Sequence, residues 1–162
     1  TLDAVRTGRA HVGVAPLEVL PESLEVQILR TVGQCAVVAS AHRLARRARL
    51  SLADLDSEPL ILPPRGRPHR ETVTRALTTE GVRASVVVEV GDWELMMLYA
   101  SLGIGVAIVN DFCAPPRGAR RIPITDLPSL DYHVFVRRSA VLPARTQELV
   151  GFLRGAPQKR GR

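Results

Sequence analysis

The fold is decided by residues 59–110, which read PLILPPRGRPHRETVTRALTTEGVRASVVVEVGDWELMMLYASLGIGVAIVN. Short runs of branched apolar residues alternate in this stretch with segments of helical periodicity. Pro68 stands where the first turn of a helix accepts proline. Asp92, directly after Gly91, is a typical N-cap residue for a second helix. The stretch therefore predicts a β-α-β-α-β unit, in which parallel strands are connected by helices that cover the sheet.

The flanking residues predict more strands and short helices. Upstream lie the end of a helix and three strands, at residues 2–7, 11–15, 24–29 and 35–39. A single-turn helix at 52–55 follows Ser51, and downstream come two strands and a final helix, at 121–124, 132–136 and from Pro143 onward. The whole pattern is typical of an α/β protein with open, mostly parallel sheets.

Two apolar segments carry expectations about burial. Val86, Val87 and Val88 follow one another without a polar residue. Such runs are typical of strands that are buried on both faces. The helix after Asp92 is apolar nearly all round, so it is predicted to be sandwiched between other elements rather than to lie at the periphery.

Composition limits the classes of protein to consider. With 162 residues the chain forms one domain or two small lobes, and its 46% hydrophobic and 23% charged residues are those of a globular protein. Aromatic residues make up only 4%, which is poor for a binder that stacks on nucleic-acid bases. No apolar run is long enough to span a bilayer, and no secretion signal opens the sequence.

The net charge of +6 has an uneven distribution. Four of the 22 basic residues lie in the last nine positions, which hold no acid. The remainder of the chain therefore carries only a small positive excess. A solvated basic surface is predicted in preference to a stripe that follows a phosphate backbone.

No constellation of residues indicates catalysis or a metal. The favoured interpretation of Cys35 and Cys113 is two buried apolar thiols in a reducing cytoplasm, and a redox pair is the alternative. The four histidines are scattered without metal-ligand spacing. Because no nucleophile or nucleotide-binding motif is present either, we expect no catalytic residue, no metal and no cofactor.

Three strand-to-helix junctions remain as candidate ligand sites, at residues 14–16, 63–67 and 89–92. Ligands of open α/β sheets bind outside the carboxyl ends of the strands, where helix N-termini converge. Arg65 and Arg67 stand beside one such helix start and suit a small carboxylate or phosphate. Ordinary turns with solvated arginines are the alternative interpretation.

Short motifs follow one another in a fixed order along the chain. They are HRLA (42–45), LSLADL (50–55), EPLIL (58–62), Arg70, VEV (88–90), LGIGVAIV (102–109), RIPI (121–124) and Arg137 with Arg138. This ordered series resembles the effector-binding domain of LysR-type transcriptional regulators. The resemblance covers residues 2–154, and the sequence departs from the family pattern at His11, Arg43 and Asn110.

This resemblance implies a type II periplasmic-binding-protein-like fold, with two α/β subdomains joined by two crossover strands near 34–39 and 105–109. Subdomain II would comprise 37–106, and an incomplete subdomain I would comprise 1–36 plus 107–156, followed by a disordered basic tail at 157–162. The inducer cleft would lie between the subdomains. Its implied walls are Ala15, Pro16, Pro64, Arg65, Gly66, Val90, Gly91, Asp92, Val109 and Asn110.

The resemblance also implies a function without catalysis. A small-molecule inducer, for which the arginines favour an anion, would control DNA binding and transcription. The domain would assemble as a homodimer or tetramer in the cytoplasm, away from any membrane. DNA would be bound by a winged helix-turn-helix that, with the first strand and helix of the effector domain, precedes residue 1. The alternatives are a solute-binding transport receptor of the same fold and an enzyme such as a small-molecule lyase.

Overall fold

The computed structural model describes residues 1–17 and 19–155. The chain divides into two compact units. Unit 1 comprises Thr1–Val32 and Leu130–Arg162, and unit 2 comprises Gly33–Ser129. The chain therefore passes between the units twice. The predicted disordered tail, residues 157–162, lies outside the described residues.

Helices and strands follow the predicted order closely. The helices are α1 (Leu2–Arg6), α2 (Pro68–Thr79), α3 (Trp93–Ser101) and α4 (Ala144–Gly155), and two short 3-10 helices span Arg43–Arg46 and Leu52–Leu55. The strands are β1 (Val12–Pro16), β2 (Leu24–Val32), β3 (Gln34–Ala39), β4 (Pro59–Leu62), β5 (Ser85–Glu89), β6 (Val106–Asn110), β7 (Ala119–Pro123) and β8 (Leu130–Arg137).

Unit 1 is built on a three-stranded sheet in the order β1-β8-β2. Both pairings are antiparallel, with Gly13 opposite Phe135 and Val26 opposite the same phenylalanine on the other side. Val5 of α1 is fully buried and packs with Leu24 and Phe135 to form the centre of this unit's core.

Unit 2 is built on a five-stranded sheet in the order β5-β4-β6-β3-β7. Strand β4 pairs in parallel with β5 and with β6, whereas β3 pairs antiparallel with β6 and β7. The prediction of mostly parallel sheets is therefore wrong, since β4 makes the only parallel strand pairings among the described residues. Parallel strands need a long crossover connection, and only the residues between β4 and β6 provide helices as crossovers.

The two faces of the unit 2 sheet are covered by different helices. Leu60 and Leu62 of β4 point toward α2 and the 3-10 helices, where they join the larger apolar cluster. Ile61, between them, points to the opposite face and packs with Met96 and Met97 of α3. The alternation of side chains along a strand thus places one helical layer on each side.

Both expectations about complete burial are wrong. Strand β5 lies at the edge of the sheet, and a bulge opposite Leu60 and Ile61 leaves Val87 48% exposed. Helix α3 buries Met96, Met97 and Ala100 but leaves Leu98 and Leu102 exposed. An apolar run therefore did not distinguish a central strand from an edge strand, nor a sandwiched helix from one with a free face.

The division into units also differs from the boundaries implied by the resemblance, which assign 107–156 to the first subdomain. Residues 107–129 belong to unit 2 instead. The physical reason is hydrogen bonding, because β6 pairs with both β4 and β3 and β7 pairs with β3. The chain returns to unit 1 only at Leu130, where β8 begins.

A close backbone approach fixes the start of β6. A Cβ atom on Gly105 would lie 2.6 Å from the carbonyl oxygen of Pro59. A side chain at residue 105 would therefore force β4 and the turn before β6 apart. We expect Gly105→Ala to lower the free energy of unfolding in urea by roughly 1–3 kcal/mol. The same substitution at Gly151, in helix α4 with no atom near its Cβ position, should be neutral or stabilising by about 0.5–1 kcal/mol. Equal effects at the two positions would contradict the role of the close approach.

Candidate functional site

The parallel pairing in unit 2 brings three strand ends to one edge of the sheet. Strands β5, β4 and β6 run in the same direction, so Glu89, Leu62 and Asn110, their last residues, lie at the same edge. Helices α2 and α3 begin shortly after β4 and β5. We call this edge, defined by residues 63–67, 90–92 and 109–110, the strand-end site.

Eight of the ten predicted ligand-binding residues lie at the strand-end site, and two of these, Val109 and Asn110, are fully buried. The eight are Pro64, Arg65 and Gly66 after β4, Val90, Gly91 and Asp92 after β5, and Val109 and Asn110 at the end of β6. Pro64 and Gly91 are direct neighbours, because a Cβ atom on Gly91 would lie 3.9 Å from Cδ of Pro64. The remaining two, Ala15 and Pro16, end β1 in unit 1, where they pair with His133 and Tyr132.

The N-terminus of α2 is open to a ligand. Arg67 is its N-cap residue and makes no capping hydrogen bond with its side chain. Gly66 precedes it with φ of +79°, a conformation that favours glycine, and donates its N–H to Oε1 of Glu71 at 2.9 Å. Arg65 and Arg67 are both exposed. Two guanidinium groups therefore lie at this helix start, where Pro68 carries no N–H and Glu71 already accepts the N–H of Gly66.

The N-terminus of α3 is already satisfied from within the chain. Oδ1 of Asp92 accepts a hydrogen bond from the N–H of Leu95 at 2.9 Å. This carboxylate supplies both the hydrogen-bond acceptor and the negative charge that a helix start favours. A bound anion thus meets competition from Asp92 at α3 and from Glu71 at α2, but at α2 the N-cap residue is Arg67, which adds positive charge.

His69 ties the two helix starts to the sheet. Its Nε2 lies 2.9 Å from the carbonyl oxygen of Ile108 on β6, and its ring meets that of Trp93 edge to face at 4.8 Å between centroids. His69 is only 4% exposed, and its Nδ1 has no hydrogen-bond partner among the described residues. Burial lowers the pKa of His69 to about 4, against a smaller opposing effect of the Ile108 carbonyl. The ring is therefore neutral at pH 7 and donates from Nε2.

Gln34 is a polar residue of this region that sequence reasoning missed. It begins β3 opposite Asn110, is 2% exposed and donates Nε2 to the carbonyl oxygen of Pro128 at 3.1 Å. Its Oε1 is buried without a partner among the described residues. A single glutamine before an apolar run gives no sequence signal of this kind, because its burial depends on the pairing of β3 with β6.

The two thiols are buried, as predicted. Cys35 and Cys113 are free and belong to the apolar cluster on the α3 face. Burial raises the pKa of Cys35 to about 12 and also raises the pKa of Cys113. Both therefore stay protonated at neutral pH, a state unsuited to thiolate chemistry. Within residues 1–17 and 19–155 no three His, Cys, Asp or Glu side chains group as metal ligands, and no helix there is long and apolar enough to cross a membrane.

Comparisons with known proteins agree with this architecture. The family model described as the LysR substrate binding domain matches residues 1–158. The HTH-type transcriptional regulator CysB of Burkholderia cenocepacia is 34% identical over 95 residues, which are 57% of this chain and 30% of that protein. The chain thus spans about a third of the length of this curated relative.

Two solved structures have the same fold. The effector binding domain of QuiR in complex with shikimate superposes with a TM-score of 0.83 at 12% identity, covering 94% of this chain and 74% of that one. The regulatory domain of CcmR from Synechocystis PCC6803 in complex with 2-PG gives 0.81 at 16% identity, covering 94% and 76%. The predicted type II periplasmic-binding-protein-like fold is thereby confirmed.

The burial of His69 makes stability depend on pH. Because its pKa is about 4 in the folded chain and about 6.5 when unfolded, the unfolded state binds more protons between these values. Stability is therefore complete above pH 6.5 and falls as the pH drops toward 4, by up to about 3 kcal/mol. Urea unfolding across this range should show the fall. His69→Gln, whose amide can still donate to Ile108, should flatten the curve, and parallel curves for the two proteins would contradict the assignment.

Proposed function

The chain belongs to the LysR substrate-binding domain family, and on this premise we propose that it is the effector-sensing part of a LysR-type transcriptional regulator. It binds a small molecule and catalyses no reaction. Ligand occupancy controls the binding of DNA by a winged helix-turn-helix that lies outside this chain. The similarity to CysB, itself a transcriptional regulator, supports this function over the transport receptor of the same fold.

The observation that carries the proposal is the convergence at the strand-end site. Three parallel strands end there, and two helices begin there. Open α/β sheets bind ligands at such edges, because backbone N–H groups and loop side chains point to a common space. The side chains at this edge do not form a nucleophile with a base, which favours binding over catalysis. In unit 1, we assign Ala15 and Pro16 a contact with the same class of ligand.

The effector is expected to be a small anion, of the carboxylate or phosphate type. At α2, the uncapped helix start and the guanidinium groups of Arg65 and Arg67 both favour negative charge. Glu71, in the first turn, offsets part of this field. The effector binding domain of QuiR binds shikimate, a carboxylate, which supports an acid of this size.

The assembly we propose is a homodimer or tetramer formed through the regulatory domain, working in the cytoplasm. The fold is shared with full-length BenM and with CbnR, a LysR family transcriptional regulator. In such an assembly a ligand acts by shifting the population of conformations that position the DNA-binding parts. A ligand achieves this only through a difference in its affinity for those conformations.

Gly91 permits a test that leaves the fold intact. Its added Cβ makes only an ordinary contact with Pro64, so Gly91→Leu places a bulky side chain at the strand-end site. We expect the best ligand from a thermal-shift panel of carboxylates and phosphate esters to lose at least tenfold in affinity by calorimetry, about 1.4 kcal/mol. Gly151→Leu, in α4, is the matched control and should bind normally. Equal affinity in Gly91→Leu, or a panel without any stabilising compound, would count against the proposal.

The anionic nature of the effector can be tested separately. Arg65→Gln removes one exposed positive charge beside the start of α2. For an anion we expect affinity to fall several-fold at low ionic strength, with a smaller difference at high salt because screening weakens exposed charges. Arg49→Gln, at an exposed position beside β7 and thus at the other end of the strand order from β5, controls for net charge. A neutral compound that binds best, with no dependence on salt, would rule out the anionic effector.

The regulatory role has a direct genetic test. The coding sequence upstream of the codon for Thr1 is expected to encode the first strand and helix of the effector domain and, before them, a winged helix-turn-helix with its linking helix. Sequencing or inspecting that reading frame decides the matter. A secretion signal in its place would instead support the transport receptor.

A further inference from the structure

One side of helix α2 is polar although it faces the edge strand β5. Val73 and Leu77 form the apolar contact with the sheet. Arg70, Thr74 and Thr78, at helical spacing, form the neighbouring stripe on the side of the edge strand β5. Because the threonine side chains are short, a gap separates the helix from β5 along this stripe.

The space left between α2 and β5 is a groove of about 350 Å³. Its floor is apolar and consists of Leu60, Leu62, Leu77, Val82, Ala84 and Val86. Arg65, Thr74, Thr78 and Glu89 complete the lining. The groove has the size of a small-molecule site, and polar as well as apolar side chains line it. The groove lies on the α2 face of unit 2, beside the strand-end site rather than in it.

A buried guanidinium group forms the polar end of the groove. Arg70 is 5% exposed, and it donates Nε to Oγ1 of Thr74 and Nη1 to the carbonyl oxygen of Pro63, both at 3.1 Å. Its Nη2 lies 3.3 Å from Oε1 of Glu89, whose side chain is 44% exposed. These contacts use three of the five N–H groups of the guanidinium. The group is thus held in place and still has donors left.

Charge in the groove favours an acid as its occupant. Glu89 pairs with Arg70, and Arg65 supplies the remaining positive charge of the lining. A planar guanidinium binds carboxylates through paired hydrogen bonds. The apolar side chains of the floor give contact area to an acid that carries an apolar body.

We propose that this groove is a second ligand site, which takes a small monocarboxylic acid with an apolar body. The carboxylate accepts hydrogen bonds from the unused N–H groups of Arg70 and faces Arg65. The apolar body lies on Leu77, Val82 and Val86. The site does not depend on the proposed function at the strand-end site, because only Arg65 is common to both.

The experiment uses phenylacetate as the probe and its neutral analogue phenylacetamide as the comparison. Each is titrated into the 15N-labelled 162-residue chain, and backbone amide shifts are followed by NMR. We expect saturable shifts at Thr78, Val82 and Ala84 with phenylacetate and at least tenfold weaker binding of the amide. Thr78→Leu fills the groove and should weaken binding at least fivefold. Thr79→Leu, at the neighbouring exposed position outside the groove, should leave it unchanged.

The outcomes separate this site from the first one. Shifts confined to Gly91, Asp92 and Asn110 would support the strand-end site and overturn the groove. Absence of any saturable shift, or equal binding of acid and amide, would also overturn the proposal. The titration of the unmodified chain decides this even if Thr78→Leu does not fold. We expect the variant to fold, because the Thr78 hydroxyl donates only to the carbonyl oxygen of Thr74 in the same helix. Shifts at the groove alone would leave the groove supported while the strand-end proposal fails.

Discussion

The parallel pairing of β4 with its two neighbours is the constraint on which the rest of the structure depends. Parallel neighbours end on the same side of a sheet, so β5, β4 and β6 deliver their following loops to one edge. A reversal of β5 would place residues 90–92 at the opposite edge, far from Pro64. Side-chain chemistry at the site is therefore secondary to strand direction, which is in turn imposed by the two helical crossovers.

This explains which parts of the structure the sequence predicts well. Residues 59–110 carry strong local signals, such as Pro68 at the first turn of α2 and Asp92 as N-cap, and both are found in those places. These signals place residues 63–67 and 89–92 in loops after parallel strands, which converge at one edge. Val109 and Asn110 come from the family resemblance instead. The role of these residues in ligand binding stays a prediction.

Other features depend on long-range contacts that a local pattern does not contain. The valines of β5 are as apolar as those of a central strand, yet β5 pairs on one side only, with β4, and is an edge strand among the described residues. The same limit applies to Gln34, whose burial arises from pairing with β6, distant in sequence. The boundary between the two units likewise depends on the sheet in which β6 and β7 pair. Hydrogen-bond partners decide these points, and periodicity records only which faces are apolar.

The two helix starts at the strand-end site show how the same motif acquires different roles. The carboxylate of Asp92 caps α3, so the positive end of that helix dipole already faces a negative charge of the chain. Helix α2 has Arg67 in the equivalent position and keeps its N-terminus uncapped. His69 then holds this open end against β6 in a neutral form, since a protonated ring would be buried without a counter-charge beside it. For the anionic effector proposed above, a helix start held in this way reduces the cost of ordering the site on binding.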